Sequence, residues 1–309
     1  MRIGIFGSGG VGGYFGGRLA QAGEEVVFIA RGGHLKALQA EGLHIESING
    51  DLHLPSVQAS ADPAQAGPVD MVLLAVKAWQ VPAAIQAMPP MIGQQTGIVP
   101  LGNGVDAPRQ LLEAFGEQHV LGGMCRISSF LAAPGHIRHV AIDALVLVGE
   151  LDNRPSARLE ALRSAFERAG VNIGVPDDIL VAMWEKFVFI AAMSGVGSIT
   201  RSPAGAFRSL PGTRRILEGV VAEIELVSRA QGVNLPADVA AKTLSIADSL
   251  PYETHASMVR DIMGLKPSEL AAQHGAVVRM GAQVGIATPF NQFIYDCLLP
   301  QELKARGQL

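Results

Sequence analysis

Arg2-Ile-Gly-Ile-Phe6-Gly7-Ser8-Gly9-Gly10-Val11-Gly12-Gly-Tyr-Phe-Gly-Gly17-Arg18-Leu19-Ala20 is the stretch from which the fold is read. Its first five residues form a short apolar run, as a strand buried on both faces requires. A glycine-rich turn follows at once, and beyond it apolar residues recur at helical spacing. Strand, tight turn and helix, with the spacing Gly7-x-Gly9-x-x-Gly12, make up the dinucleotide fingerprint. Gly7 permits the turn out of the strand, Gly9 leaves room for a pyrophosphate against the backbone, and Gly12 lets the helix pack close to the strand. Phosphates then rest on unpaired N–H groups at the positive helix end. Gly7, Ser8, Gly9, Gly10, Val11 and Gly12 are therefore candidate cofactor-binding residues.

Working outward, Glu25 to Ala30 reads as the second parallel strand, and Arg31 lies just past its end. An acidic residue there would bind the ribose 2′-hydroxyl of NAD. An arginine suits the 2′-phosphate of NADP, because a guanidinium grips phosphate oxygens in a bidentate way. His34 to Gly42 reads as a short helix. Asn49-Gly50, between Leu43–Ile48 and Asp51–Val57, signals a hairpin. Asp70 to Val76 is an apolar strand with Lys77-Ala78-Trp79-Gln80 at its C-terminal end. Gly97 to Leu101 is another, ending in Gly102-Asn103-Gly104-Val105-Asp106, where Asp106 is placed to cap the next helix. Ligands bind at the carboxyl ends of strands in open α/β sheets, so Lys77 and Asn103 join the glycine turn as candidates. Met124–Phe130, His136–Ala141 and Leu145–Gly149 read as later strands, joined partly as hairpins around Pro134-Gly135. Arg154–Ala169 reads as an amphipathic helix and Val171–Val175 as a last extended segment.

At Pro176-Asp177-Asp178 the pattern changes to almost purely helical periodicity, broken at prolines. The expected architecture is α/β: a Rossmann-type nucleotide-binding domain over 1–176, then an all-helical domain over 177–309 that holds a substrate. The 309 residues are 49% hydrophobic and 17% charged, enough for a substantial core. A net charge of −4, with no Lys/Arg stripe, leaves no footprint for nucleic acid. Two distant cysteines, Cys125 and Cys297, fit a reducing cytosol rather than a disulfide framework. The N-terminus enters a strand with no signal-peptide pattern, and no uninterrupted apolar run reads as long enough to span a bilayer. The expectation is a cytoplasmic protein without a membrane partner. His136 and His139 have a metal-like spacing, but no cysteine or carboxylate cluster accompanies them. They read as surface hairpin chemistry, and no metal is expected.

In the second half, Trp184-Glu185-Lys186-Phe187-Val188-Phe189-Ile190-Ala191-Ala192-Met193-Ser194-Gly195 forms a helix in which Lys186 is the only cation. Apolar walls disfavour a lysine's charged form and ease proton donation.

Taken together, Gly7–Gly12, Ala30-Arg31-Gly32-Gly33-His34-Leu35, Val76-Lys77-Ala78-Trp79-Gln80, Asn103-Gly104, Trp184-Glu185-Lys186 and Ser257-Met258-Val259-Arg260-Asp261 resemble the ketopantoate reductase (2-dehydropantoate 2-reductase) family. Glu269, within Pro267-Ser268-Glu269-Leu270, continues the match, which runs in order through essentially the whole chain. The resemblance implies NADPH-dependent reduction of a 2-oxo acid, with ketopantoate as substrate in pantothenate and coenzyme A synthesis. It implies that Lys186 donates the proton and that Glu269 orients Lys186 or the substrate near the cofactor ribose. Asn103 would stand between cofactor and substrate, Ser257 and Ser194 would face substrate, and Arg31 and Lys77 would lie near the 2′-phosphate. On the Lys186 helix the family carries asparagines where this chain has Ile190 and Ser194. That opens a second reading, a more apolar 2-oxo acid. A third is a regulatory protein that binds NADP(H) without turnover. Oligomers such as a homodimer are compatible with all three.

Overall fold

The computed structural model describes all 309 residues, Met1–Leu309. Twelve strands occur: β1 (Arg2–Phe6), β2 (Glu25–Ile29), β3 (Leu43–Ser47), β4 (Leu52–Leu54), β5 (Gln58–Ser60), β6 (Val69–Leu74), β7 (Ile92–Pro100), β8 (Leu121–Arg126), β9 (Ser129–Ala133), β10 (His136–His139), β11 (Leu145–Glu150) and β12 (Asn172–Gly174). All lie before residue 175, and the chain is helical from Ile179 onward. Two compact units result. One holds Met1–Gly102 and Ala107–Ile179; the other holds Leu180–Leu309 together with Asn103–Asp106.

In the first unit the main sheet has the order β5-β2-β1-β6-β7, every neighbour parallel. The central strands β1, β2 and β6 are mostly apolar and buried because both faces are covered, the pattern of a doubly wound Rossmann-type sheet, whereas the edge strand β5 and the start of β7 are more polar. The strand order reverses direction at β1, so the glycine turn that follows β1 stands at the topological switch point. Two smaller sheets, β4-β3-β10-β9 and β12-β11-β8, complete the unit. The Asn49-Gly50 hairpin is present, pairing Leu43 with Leu54 and Ile45 with Leu52. Phe15, Phe166, Ile45 and Val146 belong to one core that reaches from the main sheet to both smaller ones.

Several boundaries differ from the sequence reading. The single strand expected over Met124–Phe130 is two, β8 and β9, separated at Ile127-Ser128 and paired into different sheets. β10 ends at His139 and pairs in parallel with β3, a long-range contact with no local signal. The helix expected from Arg154 starts at Ala157, because the Ser156 hydroxyl accepts from Leu159 N and caps it. His139 is not on the surface: it is 1% exposed, with Nδ1 2.8 Å from the Ser47 hydroxyl and Nε2 2.8 Å from the Ile142 carbonyl.

The second unit is built on the helix Ile179–Thr200, with Ile179 itself counted in the first unit. Although Glu185-Lys186 interrupts its apolar run, this helix has the length and composition to cross a bilayer. Within the protein, 67% of its apolar window is buried. Phe187, Val188, Ala191 and Val196 pack with Leu217, Val220 and Ile224 of the helix Pro211–Ala230 and with Val277 and Ile294. That environment explains the all-round apolar sequence as that of a central core helix.

Candidate functional site

In the first unit the glycine turn takes the form a pyrophosphate requires. Gly7 has φ +98°, in the region that favours glycine. A Cβ on Gly12 would lie 2.2 Å from the Gly7 carbonyl oxygen, so only glycine lets the helix Gly10–Gln21 start so close to β1. A Cβ on Gly9 would meet nothing within 4 Å, which leaves that side of the turn open. Gly9 is the N-cap of the helix and offers no side chain to its first N–H groups. Open space beside a helix N-terminus with unpaired donors fits an anionic group such as a pyrophosphate. Ser8 is buried, and its hydroxyl donates to the Ile29 carbonyl at 3.2 Å, tying the turn to β2.

Arg31 is exposed at the N-cap position of the helix Gly32–Glu41. The residue therefore stands at the carboxyl end of β2. Lys77 is exposed at the end of the β6 segment, and its backbone N–H donates to the Gln80 side chain at 3.2 Å. Both cations sit at strand ends of the same parallel sheet.

The second unit gathers the remaining candidates. Gly104, at φ +110°, turns the chain so that Asn103 reaches the segment that carries Glu269. Asn103 Nδ2 donates to Glu269 Oε2 at 2.9 Å. Glu269 is 3% exposed, and the preceding residue is clamped in turn. Ser268 N donates to Glu302 at 3.0 Å, Ser268 Oγ donates to Glu302 Oε2 at 2.5 Å, and Arg306 donates to both Glu302 and the Ser268 carbonyl. A buried carboxylate held in this way is a fixed acceptor rather than a mobile surface charge. Asp106, expected as a helix cap, pairs with Arg279 at 3.0 Å.

Lys186 is half-buried, not enclosed. With Val181, Glu185, Phe189 and Ile190 it forms the partly open face of its helix, at spacings of four and five residues. Glu185 pairs with Lys242 at 3.2 Å, whereas Lys186 is in no ion pair. Ile190 stands one turn on, along the same partly open face. Ser194 is fully buried and its hydroxyl has no hydrogen-bond partner in the chain. Ser257 is half-buried at the first position of the helix Ser257–Met263.

Sequence reasoning missed a buried polar chain that braces the Lys186 helix. His274 Nδ1 is 2.8 Å from Asn291 Oδ1, and Asn291 Nδ2 donates to Glu223 Oε2 at 2.7 Å. Glu223 also accepts from Phe290 N at 2.7 Å and Asn291 N at 2.9 Å. It thereby caps the helix Pro289–Ala305, whose own N-cap Thr288 makes no side-chain cap bond. Since the Asn291 amide donates to Glu223, its oxygen accepts from His274, which fixes the proton on Nδ1. The imidazole then presents Nε2 to the backbone of the Lys186 helix: a Cβ on Gly195 would lie 2.1 Å from that atom. Complete burial pushes the His274 pKa down to about 4, outweighing the contacts with the Asn291 side chain and the Ala191 backbone, so the ring is neutral at neutral pH. The one signal available in the sequence was a histidine and an asparagine among helical apolar positions.

The chain is similar to known proteins along nearly its whole length. Residues 3–153 match the family model described as ketopantoate reductase PanE/ApbA, and residues 178–302 match its C-terminal domain model. An oxidoreductase of Bacillus subtilis strain 168, YkpB, is 32% identical over 96% of this chain and 97% of its own length. The 2-dehydropantoate 2-reductase of Mesorhizobium japonicum is 30% identical over 94% of each chain. Among solved structures, a PanE/ApbA family ketopantoate reductase from Ralstonia eutropha JMP134 superposes with a TM-score of 0.91 at 32% identity. That superposition covers 99% of this chain and 100% of the other.

Proposed function

The chain belongs to the ketopantoate reductase PanE/ApbA family of oxidoreductases, and on that premise we propose that it reduces a 2-oxo acid with NADPH. Ketopantoate, reduced to pantoate for pantothenate and coenzyme A synthesis in the cytoplasm, is the first substrate to test. In this reading residues 1–176 hold the dinucleotide and 177–309, joined by Asn103, hold the substrate. The observation that carries it is the buried Glu269 carboxylate bound to Asn103, in the same helical unit as Lys186. A protein that only stores a dinucleotide needs the glycine turn and has no use for such a pair.

The bound cofactor supplies a hydride. The chain's own residues do the rest. The N–H groups of Gly9 to Gly12 receive the pyrophosphate, and Arg31 and Lys77 meet the 2′-phosphate. Asn103 spends one N–H on Glu269, which leaves Oδ1 and the second N–H, in a fixed orientation, for a ligand. Ser257 supplies a further hydroxyl to the substrate, whereas Ser194, expected beside it, is fully buried in the helix core and out of a ligand's reach. Lys186 stabilises the charge that develops on the carbonyl oxygen and gives it a proton. Its half-exposed position lets solvent restore that proton.

Ile190 favours a second reading within the same chemistry, a 2-oxo acid with an apolar side chain. An isoleucine one turn from Lys186 offers contact area and no hydrogen bond. The test is oxidation of NADPH and NADH by the purified protein against 2-oxo acids that include ketopantoate and branched or aromatic ones. Turnover of ketopantoate supports the first reading, and turnover of apolar members alone supports the second. Binding of NADPH with no turnover on any member points to a regulatory protein and overturns both.

A further inference from the structure

His34 belongs to the Arg31-Gly32-Gly33-His34 motif, and nothing above gives it a task. It is half-buried near the start of the helix Gly32–Glu41, and both ring nitrogens are engaged. Gly135 N donates to Nδ1 at 3.0 Å, so Nδ1 is an acceptor and the ring proton sits on Nε2. Nε2 is 2.7 Å from the Ser8 carbonyl and donates to it. The chain thus fixes one tautomer of a neutral imidazole. Burial holds His34 below its ordinary pKa, against the pull of the Ser8 carbonyl.

The Ser8 carbonyl is the informative partner. A trans peptide is planar, so its C=O and the following N–H point in opposite directions. With the Ser8 carbonyl turned to His34, the Gly9 N–H faces the other way. It donates to no group of the chain, and the space beside Gly9 is open. The Gly9 carbonyl is itself committed, accepting from Gly13 N at 2.7 Å. The Ser8–Gly9 peptide is therefore held by His34 on one side and by the helix on the other. Through Gly135 the same ring ties down the β9–β10 hairpin. That hairpin passes so close to the turn that a Cβ on Gly10 would lie 2.6 Å from the Ser129 carbonyl oxygen.

We propose that His34 is a positioning residue for the dinucleotide: it holds the Ser8–Gly9 peptide so that the Gly9 N–H is aimed at the pyrophosphate. This rests on the reading of the glycine turn as a dinucleotide site. The test is the Kd of NADPH and NADH, measured by nicotinamide fluorescence, for the full-length protein and for His34→Leu and His34→Gln. The Gln side chain amide can reach the Ser8 carbonyl as Nε2–H does; leucine cannot. His34→Leu is expected to weaken the tighter-binding dinucleotide by about tenfold, the size of one well-placed hydrogen bond. His34→Gln is expected to recover most of that loss. Thermal midpoints are measured alongside, and a merely structural role would lower the midpoint and leave Kd unmoved. Should His34→Leu not fold, His34→Gln and His34→Asn decide. Asn keeps an acceptor near Gly135 but is too short to reach Ser8, so it should bind more weakly than Gln. Equal Kd in all folded variants overturns the proposal. Failure of the unaltered protein to bind either dinucleotide removes the reading of the turn, and the proposal with it.

Discussion

Glu223→Ala tests whether the buried chain behind the Lys186 helix is as structural as its geometry implies. Glu223 is 7% exposed and accepts three hydrogen bonds, from Phe290 N, Asn291 N and Asn291 Nδ2. Each donor left buried without an acceptor costs about 1–3 kcal/mol. The three share one carboxylate, and water entering the vacated space would satisfy part of the loss, so their costs do not add in full. Two of the donors are helix N-terminal N–H groups, and losing a cap costs about 0.5–2 kcal/mol within that total. An overall loss of about 3–4 kcal/mol is expected for Glu223→Ala. Glu223→Gln keeps one oxygen for the backbone donors but turns an amide N–H toward another donor, and about 1–2 kcal/mol is expected. The assay is urea denaturation followed by circular dichroism, comparing midpoints at unchanged slope. A loss below about 1 kcal/mol for Glu223→Ala would refute the reasoning, as would equal losses for the two variants.

Three further outcomes can be checked. Lys186→Met should lower turnover by about 10²–10⁴-fold and leave NADPH affinity unchanged; equal losses in both would remove its assigned role. Arg31→Ala should shift the ratio of NADPH to NADH affinity toward NADH, and an unchanged ratio would place the guanidinium outside the cofactor site. Stability should fall as the pH drops from about 6.5 to 4, because unfolded His274 takes up a proton that the buried ring, with its pKa pushed down to about 4, refuses. That contribution is complete above the unfolded value and is on the order of 3 kcal/mol across the window. In denaturation midpoints, His274→Gln should flatten this part of the pH profile.

What could be read in the sequence was what neighbouring residues settle among themselves. The strand, turn and helix at Arg2–Gln21, the Asn49-Gly50 hairpin and the change to helices near residue 176 all carry their signals within a few residues. The parallel pairing of β10 with β3 does not, because its partners are about ninety residues apart and either could pair elsewhere. The break at Ile127-Ser128 lacks glycine or proline and is imposed by two sheets competing for one strand. Lys186 was found as a cation in an apolar run, but its half-open setting follows from which helix face the core takes. Glu223, Asn291 and His274 come from three different helices, and a buried network of that kind has no spacing to detect.

The placement of Asn103–Asp106 with the helical unit has a consequence for the order in which the protein is made. A ribosome produces Asn103 166 residues before its partner Glu269. At about 5–20 residues per second, the interval is roughly 8–33 s. Through it the flanking β7 and Ala107–Phe115 segments can join the first unit, while Asn103–Asp106 waits for a body not yet synthesised. The helical unit is therefore not a contiguous stretch of chain. A fragment beginning at Leu180 would bury Glu269 without its Asn103 donor, whereas adding a peptide that contains residues 103–106 would restore the missing group from outside.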